Sequence, residues 1–153
     1  MVTCATRSFG MRVAKLLSDK FDVVKSTSDE IPDLLKDQFI KIPTGVNPVF
    51  CHELLKACLD NNCNYILPLD LSEIQSISES IILFEEYGIE VLSPTLADLE
   101  EFEVVQNPPK EISLSLISKG KSLLEDNMIL TVQVSGLGLL SDSGEDFILA
   151  VSK

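Results

Sequence analysis

"VTCATRSFGMRVAKLL", residues 2–17, carries the decision about the fold. Its opening residues, 2–5, are an apolar run that predicts a short strand, and a loop of small residues follows. The apolar side chains Phe9, Val13, Leu16 and Leu17 then recur on one face, which predicts a helix over 8–18. A strand, a loop and a helix in that order are the opening of a nucleotide-binding α/β domain.

The alternation continues down the chain. "FDVVKS" at 21–26 predicts a second strand, the stretch around Pro32 at most a short helix, and "FIKIP" at 39–43 a brief extended segment that skirts the sheet. Asn47 and Pro48 stand at the cap and first-turn positions of a helix over 49–62. "YILPL" at 65–69 reads as a buried strand, and 72–87 as one long helix with Ile74, Ile77, Ile81 and Phe84 on its apolar face. Gly88 then falls where a left-handed cap belongs. A strand at 89–92 and a short helix in "TLADLEEF" complete the series. Strands and helices alternating at this length pair in parallel through right-handed crossovers, with helices on both sheet faces. The expected fold is therefore α/β, a Rossmann-like three-layer domain with a mostly parallel sheet over 1–106.

Two prolines in "QNPPK", 106–110, end that pattern. Beyond them, 107–153 reads as a small β-rich appendage: "ISLSLI" alternates, "KSLLED" suggests a helical turn or two, and "MILTVQVSGLGLL" and "DFILAVSK" flank "SDSGE" as a β-hairpin.

Composition restricts the partners. Of 153 residues, 45% are hydrophobic, and 24 acidic against 12 basic residues give a formal charge of −12. That field repels nucleic acid and anionic lipid, no basic stripe reverses it, and neither class of partner is expected. The longest apolar runs fall short of the roughly 18–20 residues that span a bilayer, and the first residues lack the basic start of a secretion signal, so a cytoplasmic location is expected. Cys4, Cys51, Cys58 and Cys63 form no C-x-x-C pair and are read as reduced, packed thiols.

Few motifs carry chemistry. A dinucleotide fingerprint requires glycines so that the backbone can approach a pyrophosphate. In the loop Ala5-Thr6-Arg7-Ser8-Phe9-Gly10 only Gly10 matches. What remains is a helix that Thr6 or Ser8 can cap and an Arg7 able to meet an anion. "SKGKS" at 118–122 ends like a phosphate-binding loop, but Ser115 stands where its first glycine is required, and an exposed turn is the reading adopted. In "PLDLSE", 68–73, Asp70 and Glu73 fall at the carboxyl edge of the sheet, where they can hold a cation or an amine. Alternatively, Asp70 or Ser72 caps the next helix and Glu73 sits at its positive end. Asp142, Glu145 and Asp146 lack calcium-loop spacing. His52, the single histidine, is adjacent to Cys51 on a helix and points about 100° away from it, which defeats a thiolate–imidazole pair. The candidate ligand-binding residues are thus Thr6, Arg7, Ser8, Asp70 and Glu73, with no catalytic or metal set and no cofactor specified.

Taken in order, "VTCATRSFGMRVAKLL" and "ELLKACLDNNCNYILPLDLSEIQSISESIILFEEYGIEVLSPT" resemble the N-terminal, pre-ATP-grasp domain of carbamoyl-phosphate-synthase-like ATP-grasp proteins, over roughly residues 1–100. The resemblance implies a Rossmann-like unit that precedes an ATP-grasp fold. The family holds nucleotide with lysines, a glycine-rich loop and metal-binding acidic and Asn residues of that second fold, yet fewer than sixty residues follow Thr95 here. It therefore implies a module without its catalytic half, one that binds a small ligand or docks on a separately encoded ATP-grasp ligase, and no catalytic residue transfers. Two alternatives stand beside it. One is a homo-oligomeric structural module pairing through edge strands of the hairpin region, including "TVQV"; the other is a small metal-dependent enzyme built on Asp70 and Glu73.

Overall fold

A computed structural model describes residues 1–153. The chain is α/β: short parallel strand pairs with helices between them, followed by a mixed five-stranded sheet.

In the first part, helix α1 spans Ser8–Leu17, strand β1 Ser26–Thr27, a 3-10 helix Asp33–Gln38, strand β2 Ile40–Lys41 and helix α2 Phe50–Asp60. Strand β3, Tyr65–Ile66, helices α3 (Leu71–Ser78) and α4 (Ile81–Glu86), strand β4 (Glu90–Val91) and helix α5 (Leu96–Glu101) follow. β1 pairs with β2 and β3 with β4, each in parallel. Val2 stands between the two pairs and bridges both Lys25 and Leu67 in parallel. Its N–H donates to the Val24 carbonyl at 2.9 Å, and the Leu67 N–H donates to the Met1 carbonyl at 2.9 Å. The lateral order is β2, β1, the Val2 segment, β3, β4.

Several expectations need correction. The predicted strand over 2–5 shrinks to the Val2 bridge because Cys4 turns the backbone to φ +52° and ends the extension. "FIKIP" does not skirt the sheet: Ile40 N–H donates to the Lys25 carbonyl at 2.8 Å and Ile42 N–H to the Thr27 carbonyl at 3.0 Å, with Ile42 buried. The single helix over 72–87 is two. Ser78 Oγ donates back to the Ile74 carbonyl at 2.5 Å and to the Pro94 carbonyl at 3.2 Å, and the Ser80 N–H bonds Ile77 in a tightened turn. Serine hydroxyls that compete in this way bend helices. The break leaves Ile77 and Phe84 fully buried in one cluster, each worth ~1.5–3 kcal/mol of burial.

The mixed sheet has the order β5-β9-β8-β6-β7, formed by β5 (Val104–Gln106), β6 (Ser115–Ser118), β7 (Lys121–Ser122), β8 (Gly136–Leu140) and β9 (Phe147–Val151). β8 and β9 are the expected hairpin around "SDSGE". "SKGKS" is the turn between β6 and β7, where Lys119 (φ +47°) and Gly120 (φ +79°) make the two-residue connection with positive φ at both positions that matches strand twist. That turn sets the register of Lys121 and Ser122, so "KSLLED" begins as a strand rather than a helix. Ser122 Oγ then accepts from the Leu124 and Glu125 N–H groups. "TVQV", 131–134, lies outside the sheet, whose edges are β5 and β7.

The two parts share a core. One apolar cluster joins Val2, Phe9, Val13 and Leu67 to Leu114, Leu116, Leu137 and Ala150, and β5 runs parallel to β9. Arg12 on α1 secures the proline linker by donating to the carbonyls of Pro108 (2.7 Å), Pro109 (3.0 Å), Lys110 (3.4 Å) and Ile112 (2.6 Å). No helix is long and apolar enough to cross a membrane.

Candidate functional site

The loop between Val2 and α1, the residues after β1 and the turn from β3 into α3 meet at the carboxyl edge of the parallel strands. In the opening loop α1 packs so tightly that a Cβ on Gly10 would lie 2.0 Å from the Cys4 carbonyl oxygen. Glycine is required there for contact between helix and loop, the role of the last glycine in a dinucleotide fingerprint.

Arg7 extends from this loop across the strand ends. Its Nε and Nη2 donate to the two Asp29 oxygens at 3.0 and 3.2 Å, and its Nη1 donates to Asp70 Oδ2 at 3.0 Å. Three of the five N–H donors of the fork-shaped guanidinium are thereby committed to carboxylates from two different strand ends. Hydrogen bonding to Asp29 raises the Arg7 pKa further, so the cation is permanent. Arg7 in turn holds the Asp29 carboxyl below the usual range. Burial pushes the Asp70 carboxyl up, but hydrogen bonds from Ser72 and Arg7 outweigh it and the net shift is downward. With Lys41, whose ammonium donates to the Ser28 and Asp29 carbonyls and faces Glu30, two cations stand against three anions and leave the edge net negative.

Of the other residues singled out in the sequence, Thr6 does not cap α1. Its Oγ1 hydrogen-bonds Thr27 Oγ1 at 2.8 Å and donates to Asp29 Oδ2 at 3.3 Å. Ser8 begins the helix, exposed to solvent, and does not cap it either; Arg7 occupies the N-cap position without a side-chain bond. Asp70 caps α3 in a capping box, accepting from the Ser72 N–H at 2.9 Å while its own N–H reaches Glu73 Oε2 at 3.4 Å.

Glu73 lies beneath this layer at 1% exposure. Its Oε2 accepts from Thr3 Oγ1 at 2.5 Å and lies 3.8 Å from Cys4 Sγ, while Oε1 has no partner. Gly45 packs closely on the backbone at the start of α3, where a Cβ would sit 2.4 Å from the Glu73 nitrogen. Burial lifts the carboxyl to about 7, against the opposing pull of the Thr3 hydroxyl and the Asp70 N–H. A carboxyl near neutrality suits proton transfer, but this one is buried against Thr3 and Cys4, away from solvent. It ties the Val2 segment to α3.

The thiols show the same enclosure. Burial pushes Cys4 far up, with Glu73 adding to the effect, and pushes Cys58 up to about 12. Both are poor nucleophiles in that state. Cys51 is raised by burial as well and donates to the Ser76 carbonyl, while His52 faces solvent beside it. No three His, Cys, Asp or Glu side chains converge as a metal site.

The structure thus brings Thr6, Arg7, Asp70 and Glu73 together and leaves Ser8 apart. The sequence reading missed Asp29, together with Thr3 and Cys4. A signal for Asp29 existed: it follows the second strand about 20 residues beyond the first loop, the position where dinucleotide folds place an acid. No protein-family model matches the chain, and no curated protein matches its sequence.

Proposed function

We propose that 1–106 is a Rossmann-like domain of pre-ATP-grasp type, and that the chain is a non-catalytic module that docks on a separately encoded ATP-grasp ligase instead of holding nucleotide itself. The carrying observation is the Arg7 triad. In a parallel sheet with the lateral order described above, ligands collect outside the carboxyl ends of the strands on either side of the first one. Here that position is spanned by a guanidinium already committed to Asp29 and Asp70. A phosphate arriving there meets two carboxylates and an arginine already paired with both, so it can take the full guanidinium fork only by displacing one of those ion pairs. The parallel pairing of Val2 with both neighbours supports the Rossmann-like assignment, and the enclosed state of Glu73 and Cys4 supports the non-catalytic one.

The test is affinity purification of the tagged full chain from its native cells, combined with ATP titration of the isolated chain. Stoichiometric recovery of an ATP-grasp ligase, with no ATP binding by the chain alone, is the expected result. Recovery of the chain by itself, or saturable ATP binding by a single copy, overturns the proposal.

A further inference from the structure

At the amino edge of the parallel strands, opposite the Arg7 triad, a cavity of about 450 Å³ opens between the end of α1 and the turn after α2. That volume falls within the ~300–1,000 Å³ of small-molecule sites. Two other surface hollows are wider and shallower.

Its walls specify a chemistry. The floor is the shared apolar core, with Leu17, Leu67 and Leu116 all buried. Phe21 and Tyr65 stand edge to face at 5.9 Å and both line the space. A flat ring packed against such a pair gains ~0.5–1.5 kcal/mol beyond its buried area. The rim carries the amides of Asn61, Asn62 and Asn64; Asn61 Nδ2 donates to the Ala57 carbonyl, which leaves its side-chain carbonyl as an acceptor. The ionic groups balance. Lys20 Nζ approaches Asp126, outside the lining, at 3.7 Å, and the Met1 ammonium and Asp22 add one charge of each sign at the rim. The ammonium also donates to the Tyr65 carbonyl at 2.6 Å. A charged ligand would lose its hydration here at a rim whose ionic groups, with Asp126, sum to no net charge.

We propose that this cavity binds a neutral aromatic molecule of one or two rings that carries a hydroxyl or amide group, with the rings against Phe21 and Tyr65 and the polar group at the asparagine rim. The site is on the opposite edge from the Arg7 triad and does not depend on the docking reading.

The chain supplies its own reporter. Cys63, after the end of α2, lines the cavity and is half-buried; Cys51, on α2, is half-buried outside the lining, and Cys4 and Cys58 are buried. The full-length protein is alkylated with iodoacetamide in the presence of naphthalenemethanol, naphthoate or naphthylmethylamine, and each thiol is followed by peptide mass spectrometry. Naphthalenemethanol is expected to slow Cys63 severalfold and leave Cys51 unchanged, whereas each charged analogue binds at least about tenfold more weakly, a difference of ~1.4 kcal/mol. Val23→Phe and, separately, Cys63→Phe fill the space from two positions and are expected to abolish naphthalenemethanol binding read by naphthyl fluorescence. Using two fillings keeps the test informative if one impairs folding. Unchanged Cys63 alkylation, equal slowing of Cys51, tighter binding of either charged analogue, or full binding by a folded filled variant overturns the proposal.

Discussion

Replacing Glu73 by glutamine isolates the cost of a buried acid. In the folded chain the carboxyl is lifted from its ordinary 4.5 to about 7 by burial. Between those values the native state holds a proton that the unfolded chain has released. Stability therefore falls as pH rises through the window; it is intact below the lower value and lost above the upper one. At ~1.4 kcal/mol for each pH unit between the two values, ionised Glu73 costs the folded state about 3 kcal/mol. Glu73→Gln keeps an oxygen to accept from Thr3 Oγ1 and carries no charge at any pH. Its amide N–H group takes the place of the unpartnered Oε1, a penalty of ~1–3 kcal/mol that does not vary with pH. At pH 5 the variant is expected to be no more stable than the parent. Between pH 5 and pH 8 it gains ~2–3 kcal/mol relative to it. Urea unfolding followed by far-ultraviolet circular dichroism measures the difference. Parallel pH profiles for the two proteins would refute the reasoning.

Gly10→Ala places a Cβ 2.0 Å from one backbone atom of Cys4 and 2.6 Å from another; neither can yield as a side chain end would, and a loss of about 3 kcal/mol or more is expected in urea unfolding. Lys119→Asn puts a residue tolerant of positive φ at the β6–β7 turn and is expected to raise stability by ~0.5 kcal/mol, since the exposed Lys119–Glu85 pair it removes contributes little. Gly120→Ala, at φ +79°, should lower it by ~1 kcal/mol in the same assay. Arg7→Ala removes the group that holds Asp29 down, so the Asp29 carboxyl is expected to titrate higher in an NMR pH series. Asp70 moves less, because Ser72 still donates to it from both its backbone and its side chain.

Local chemistry made part of the fold legible. α1 follows from a 3.6-residue apolar spacing, the β8–β9 hairpin from two apolar runs around Ser141–Gly144, and the end of α4 from Gly88, whose φ is +76°. Where the sequence misled, the deciding partner was distant in the chain. The split between α3 and α4 depends on Ser78 reaching Pro94, and β2 is a strand only because Lys25 and Thr27 accept its hydrogen bonds. β5 exists through its register with β9, more than forty residues later. The site divides similarly. Asp70 and Glu73 were visible as a capping pair because a capping box is local. Arg7's engagement with Asp29 and Asp70 joins three separated turns, and no spacing rule within any one of them encodes it.

The tail also changes what the first part can do. A parallel sheet with helices on its faces leaves an open amino edge, normally a shallow, solvated surface. Here Arg12 clamps 108–112 onto α1, which directs the following residues back across the molecule so that Leu114 and Leu116 enter the core beside Leu67. Leu116 thereby becomes a wall of the amino-edge cavity. At the other edge Arg7 draws Asp29 and Asp70 together across the strand ends. One arginine near the start of α1 closes the carboxyl edge, and another, a turn and a half further along the helix, brings in the segment that walls the opposite one.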